Sequence, residues 1–147
     1  MKIGIASDHG GYELKQEVIF ALKDKENEVI DCGTYSEERT DYPIYAFKLC
    51  DEVLSGDVDF GIAICKTGIG MSIACNKVDG IRCAKLDNTN DAKCAKEHNN
   101  ANVISFGANK SLKEVLSFIE IFTTTSPLKD PRYAMRNKLI EDYENEH

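Results

Sequence analysis

FGIAICKTGIGMSIACNK, residues 60–77, changes its hydrophobic period halfway along. Phe60 to Cys65 is an unbroken apolar run of the length of one buried strand. Met71 to Lys77 is a run of mostly small residues that reads as a helix. Between them, Lys66 to Gly70 holds two glycines, the signal of a tight turn. Strand, turn and helix in that order form the repeating unit of an α/β protein.

The same alternation extends in both directions. Ile3 to Ala6 is strand-like and ends at Ser7-Asp8-His9-Gly10-Gly11. A helical pattern follows, with Leu14, Val18 and Leu22 on one face. Glu28 to Asp31 is the second strand, closed by Gly33. Asp41-Tyr42-Pro43 opens a helix with proline in its first turn; Tyr45, Leu49 and Val53 mark its apolar face and Gly56 its end. Beyond the opening stretch, Ile81 to Ala84 is the fourth strand and Asn88 to Glu97 a helix. Asn102 to Phe106 is the fifth strand, and Leu112 to Phe122 is again helical. With no linker, low-complexity run or repeat, this predicts one domain over residues 1–147, with a five-stranded parallel sheet and helices on both faces. The charged segment Lys129 to His147 carries only a narrow apolar stripe of Ala134, Leu139 and Ile140. It reads equally as a solvated helix and as an arm packing on a partner subunit.

Composition narrows the function. The chain has 147 residues, 42% hydrophobic and 29% charged, which is enough to bury a core without staples. A net charge of -7 makes it a poor partner for nucleic acid or an anionic membrane. Any phosphate must be held by a local group of cations. No stretch is long and apolar enough to span a bilayer, and the N-terminus lacks the features of a signal peptide, so a cytoplasmic location is expected. Six cysteines lie in apolar segments without a CxxC pair, so they read as buried thiols rather than disulfides or zinc ligands. Cys94 and His98 have helical i, i+4 spacing, but no second pair accompanies them and no metal is expected.

Ligands of open parallel sheets bind at the carboxyl ends of the strands. Asp8 and His9 follow the first strand. Cys65, Lys66, Thr67, Gly68, Ile69 and Gly70 follow the third, and His98 and Asn99 are expected beside them, ahead of the fifth. A glycine turn leading into a helix offers N–H groups and a positive dipole end to a phosphate or oxyanion. The Walker arrangement is absent, and a Gly-x-Gly alone also fits a plain turn. A thiol at a helix N-terminus is a candidate base or nucleophile. By itself it is more simply a buried hydrophobe. His9 suits phosphate binding or proton transfer, or caps the next helix. Arg132 and Arg136, four apart, share a helix face and could clamp a phosphate or pair only with solvent.

Taken together, SDHGGYELK (7–15), DYP (41–43), CKTGIGMSIACNK (65–77), GIRCA (80–84), EHNNANV (97–103) and PRYAMR (131–136) resemble ribose-5-phosphate isomerase type B, nearly end to end. That family includes galactose-6-phosphate isomerase subunits. The resemblance implies a Rossmann-like three-layer sandwich, a homodimer or homotetramer with shared active sites, and a C-terminal helix reaching to the partner. It implies reversible conversion of D-ribose 5-phosphate to D-ribulose 5-phosphate without metal or other cofactor. Carried over by position, Cys65 moves the proton between carbons 2 and 1. Thr67 and the backbone of Gly68, Ile69, Gly70, Met71 and Ser72 hold the enediolate. His98 opens the sugar ring, and Asp8 and Asn99 orient its oxygens. Tyr42 lines the pocket, while His9, Arg132 and Arg136 hold the phosphate.

Three positions depart from the family. Lys66 replaces a usual glycine, Tyr133 a usual histidine, and Asn109-Lys110 stands where an arginine is common, so Lys110 is the expected substitute. All three bear on phosphate or loop geometry. The competing readings are an isomerase of allose or galactose 6-phosphate and a non-catalytic phosphosugar-binding protein. A dinucleotide enzyme is disfavoured, because the first turn reads DHGGYE rather than GxGxxG.

Overall fold

The computed structural model describes residues 1–147. Strand β1 (Lys2–Ser7) enters a 3-10 turn (His9–Gly11) and helix α1 (Tyr12–Asp24). Next come β2 (Glu28–Asp31), α2 (Tyr42–Ser55), β3 (Phe60–Cys65) and α3 (Ile69–Asn76). The chain continues through β4 (Cys83–Lys85), α4 (Thr89–Glu97), β5 (Val103–Gly107), α5 (Leu112–Thr124) and α6 (Pro131–Glu146). All strand pairs are parallel, in the order β2-β1-β3-β5-β4. The five-stranded parallel sheet read from the periodicity is therefore present, in a three-layer α/β sandwich.

Alternation along the strands divides the core. Ile62 and Ile64 of β3 point to one face, where they meet Leu14, Val18 and Leu22 of α1, Ala92 and Ala95 of α4, and Phe118 and Phe122 of α5. Ala63 and Cys65 point to the other, against Ala46, Leu49 and Cys50 of α2 and Met71, Ala74 and Cys75 of α3. Each fully buried Ile or Leu stabilises the fold by ~1.5–3 kcal/mol. β1 leads to β2 on one side and β3 to β4 on the other, so right-handed crossovers put α1 and α3 on opposite faces. That opens a crevice between their carboxyl ends.

Local signals set the boundaries. Asp41 is extended ahead of α2, Pro43 lies in its first turn, and Gly56 ends it at φ +83°. Asn88 caps α4 by accepting the Asp91 N–H at 2.8 Å, and Ser111 with Glu114 forms a capping box on α5. Most boundaries shift from the sequence expectation by a residue or two, and two of the shifts have a clear cause. Helix α3 starts at Ile69 rather than Met71, because Gly68 ends the turn and Gly70 is already helical. Strand β4 starts at Cys83 rather than Ile81, because Ile81 is buried in the core after the turn at Gly80. β4 is an edge strand, and Asn76 covers its open side. The Asn76 amide donates to the Cys83 carbonyl at 3.0 Å and accepts the Cys83 N–H at 2.8 Å.

Helix α6 buries none of its residues. Met135, Leu139 and Tyr143, spaced by four, remain exposed on it. No helix is long and apolar enough to cross a membrane.

Candidate active site

Cys65 ends β3 with its side chain on the α2/α3 face, 5% exposed. The chain then turns through Lys66 and Thr67 to Gly68, at φ +81°. A side chain at Gly68 would meet the backbone of Phe106 at 2.8 Å, so both the φ and the space require glycine. The Gly68 N–H donates to Cys65 Sγ at 3.1 Å. The Gly68 carbonyl accepts from Ser72 N–H at 3.2 Å and from the buried Ser105 hydroxyl at 3.3 Å, which fixes the plane of the next peptide. Thr67 Oγ1 accepts the Ile69 N–H at 3.2 Å. The first turn of α3 leaves N–H groups without intrahelical acceptors beside the sulfur. This is an arrangement that suits a base and an oxyanion side by side.

Lys66 is not strained. Among non-glycine residues only Glu26 and Asn100 have positive φ, so the turn at Lys66 does not require glycine for its backbone. Its backbone packs close to Gly10.

Asp8, 9% exposed, follows β1 and accepts the Gly11 N–H on Oδ1 at 3.1 Å, capping the 3-10 turn. His9 Nδ1 accepts the Thr40 N–H at 3.2 Å. An accepting Nδ1 leaves the proton of the neutral ring on Nε2, so Nε2–H is the free donor. Tyr42 opens α2, and its ring lies where a side chain at Gly70 would be, 2.9 Å from such a Cβ. Asp8, His9, Tyr42, Cys65, Thr67 and the Gly68–Ser72 segment thus share the carboxyl edge of the sheet. Met71 is fully buried in the core, so it offers only backbone. Lys110 is on this edge too, but its ammonium donates to the Asp87 carbonyl at 3.0 Å.

His98 and Asn99 are not beside them, which corrects the expectation from chain order. His98 is the C-cap of α4, ahead of β5, at the amino edge of the sheet. In a parallel sheet the helix before a strand carries the chain back to that strand's start. Cys65 pairs with Gly107 at the far end of β5, so about 13 Å of strand separates the two edges. At the amino edge His98 stacks on Tyr133, with ring centroids 4.9 Å apart and planes 8° from parallel. The Arg136 guanidinium lies over the same tyrosine at 5.6 Å. Arg132 is held by Asp130 through contacts of 2.6 to 3.1 Å. Arg82 donates to the carbonyls of Asn99 at 2.8 Å and Asn100 at 3.1 Å. A cleft of about 250 Å³ opens here, lined by His98, Tyr133, Arg82 and Lys138. None of the chain's cavities is lined by Cys65.

The remaining thiols are free and occupied with packing. Burial, with Glu52 and Asp31 nearby, pushes the Cys32 thiol up to about 11. Contact with Cys50 and then Cys83 raises that of Cys75, while the hydrogen bond from Cys75 lowers that of Cys83. No group of three or more His, Cys, Asp or Glu side chains is arranged to hold a metal ion.

Sequence reasoning missed Ser105, Thr40 and the pair Lys15 and Asp31. Lys15 left a signal: it falls among Leu14, Val18 and Leu22 on the buried face of α1. Nothing in the linear sequence marks Thr40 or Ser105.

Comparison with known proteins agrees with this fold. The family model described as Ribose/Galactose Isomerase matches residues 3–140. Ribose-5-phosphate isomerase B of Escherichia coli is 47% identical over 73% of this chain and 72% of its own length. The protein of that name from Mycolicibacterium paratuberculosis is 36% identical over 100% of this chain and 94% of its own. The solved structure of Clostridium thermocellum ribose-5-phosphate isomerase B superposes with a TM-score of 0.94 at 43% identity, covering 99% of each chain.

Proposed function

The chain belongs to the ribose/galactose isomerase family, and we propose that it interconverts D-ribose 5-phosphate and D-ribulose 5-phosphate through an enediolate. The observation that carries this reading is the Gly68 N–H on the Cys65 sulfur, at the mouth of α3. The activity is an aldose–ketose isomerisation, a step of the non-oxidative pentose phosphate pathway, and the enzyme works in the cytoplasm.

The chemistry needs one base over two adjacent carbons and donors aimed at the charge that develops on oxygen. The Cys65 thiolate takes the proton from carbon 2 of the open-chain aldose. The segment Gly68 to Ser72, through the N–H groups of Gly70 and Met71 that have no acceptor in the chain, holds the resulting enediolate together with Thr67. The same thiol returns the proton to carbon 1 while the proton of the carbon-2 hydroxyl passes to the carbon-1 oxygen, so protons and charge balance without a redox partner. Asp8 orients the sugar hydroxyls, Tyr42 closes one wall, and His9 Nε2–H meets the phosphate.

His98 opens the furanose ring, Asn99 orients its oxygens, and Arg132 and Arg136 bind the phosphate. In one chain these four lie across the sheet from Cys65, so they come from a second copy. Two features support a homodimer. Cys65 lacks a closed pocket of its own. Ile44 and Phe47 on α2 and Ile69 and Ile73 on α3 leave a large apolar face exposed near the thiol.

Cys65→Ala tests the base. The expected result is a folded protein whose kcat falls by roughly 10³-fold or more, with no exchange of the carbon-2 proton into solvent. Retained turnover overturns the assignment. kcat/KM measured on ribose, allose and galactose phosphates tests the substrate, with the five-carbon sugar expected to lead.

A further inference from the structure

We propose that Lys15 and Asp31, neither of which touches the reacting groups, are positioning residues for phosphate recognition, acting through the 32–41 loop on His9. This rests on the reading above, in which His9 holds the phosphate.

Lys15 is 0% exposed. Its ammonium donates to Asp31 Oδ1 at 2.7 Å and lies near the rings of Tyr12 and Tyr35, 5.3 and 5.8 Å from their centroids. A buried ion pair is weak evidence for stability, since well-packed apolar residues often serve the fold as well or better. Its use must be sought in what it holds still.

Asp31 Oδ1 also accepts the Gly33 N–H at 2.9 Å. From there the chain clasps the end of β1: Ser7 N–H donates to the Gly33 carbonyl and Thr34 N–H to the Ser7 carbonyl, both at 2.7 Å. Tyr35 donates from its hydroxyl to the Asp31 carbonyl at 3.1 Å. At the far end of the loop, Thr40 gives its N–H to His9 Nδ1 and shares a hydrogen bond with Tyr45. Both ends of the loop are therefore tied to the strip Ser7-Asp8-His9. Lys15 stands on α1, which grows out of the same strip. The ion pair joins the helix that follows His9 to the strand from which the loop departs.

The consequence falls on the tautomer of His9. While Thr40 occupies Nδ1, Nε2 carries the proton and donates. A loop released at Asp31 frees Nδ1, lets both tautomers populate, and weakens the hold on phosphate. Phosphate is bound alike in ground and transition states, so the loss belongs in KM rather than kcat.

The test uses the whole protein, with ribose 5-phosphate as substrate and inorganic phosphate as competing ligand. ¹⁵N NMR of His9 in the wild-type enzyme should show one tautomer, protonated on Nε2. A ring protonated on Nδ1 overturns the proposal without any variant being made. Lys15→Met should raise KM, and the inhibition constant of phosphate, about tenfold with kcat within about twofold. The double variant Lys15→Met/Asp31→Leu removes both charges and the Gly33 acceptor. It should regain thermal stability relative to Lys15→Met yet keep the high KM and show mixed His9 tautomers. A KM that stays at the wild-type value, or that recovers together with stability, overturns the proposal. Wild-type protein inactive on ribose 5-phosphate would sink the functional reading instead and leave the His9 spectrum to be judged by itself.

Discussion

Cys65 and His98 occupy opposite edges of one sheet and are held in opposite ways. Around Cys65 the turn is tied by specific hydrogen bonds. Gly68 fits only as glycine, its N–H is on the sulfur, and its carbonyl has two donors. Around His98 the structure is superficial: a stacked tyrosine, an arginine above it, and a second arginine paired with its neighbour Asp130 on a helix that buries nothing. Transition-state charge is best met by fixed dipoles, which is what the first edge offers. Phosphate is a large, charged handle that mobile cations can gather. On the proposed function, proton transfer between carbons 2 and 1 belongs to the first edge, and ring opening with most of the phosphate contacts to the second.

The sharpest way to break this division is complementation. Cys65→Ala and His98→Asn should each be nearly inactive alone. If each site draws on both edges of different copies, a 1:1 refolded mixture contains dimers with one intact site and should recover about a quarter of wild-type activity. No recovery would place both edges in one copy's site and end the comparison. Gly68→Ala should strike the first edge. Strain at positive φ and the approach to Phe106 are expected to lower stability by ~2 kcal/mol, with kcat down about 10²-fold by losing the oxyanion donors, read by denaturant titration and steady-state kinetics. Arg136→Ala should strike the other edge, raising KM roughly 10–100-fold with much less change in kcat, as expected for a lost charge-assisted hydrogen bond.

The smallest effect uses Cys32 as a control thiol on the same edge as Cys65. Its folded pKa, about 11, lies above the ordinary thiol value of 9.0. Its contribution to stability is thus complete below pH 9 and is lost as pH rises toward 11, because the unfolded chain then binds fewer protons than the folded one. Allowing for residual solvent, the loss is ~1–2 kcal/mol. Unfolding measured from pH 8 to 11 should be flatter in Cys32→Ala.

Much of this was legible in the sequence. The strand–helix alternation gave the sheet its five strands, and the turn at 66–70 located the thiol. Gly70 misled the reading of α3, because its small size serves the ring of Tyr42 rather than the turn. His98 misled more seriously. Distance in sequence from a strand says nothing of which end of it a residue occupies, and only the parallel topology sends α4 back to the amino edge. The Thr40 bond to His9 spans 31 residues of chain and has no local signature.

Asn76 has a consequence for life in a crowded solution. β4 is a bare sheet margin, the kind of surface on which a stray extended chain can add itself, and repeated addition leads toward fibrils. By taking both main-chain groups of Cys83, the Asn76 amide acts as a one-residue mock strand. Copies of this protein are thereby turned away from growing edge to edge at β4.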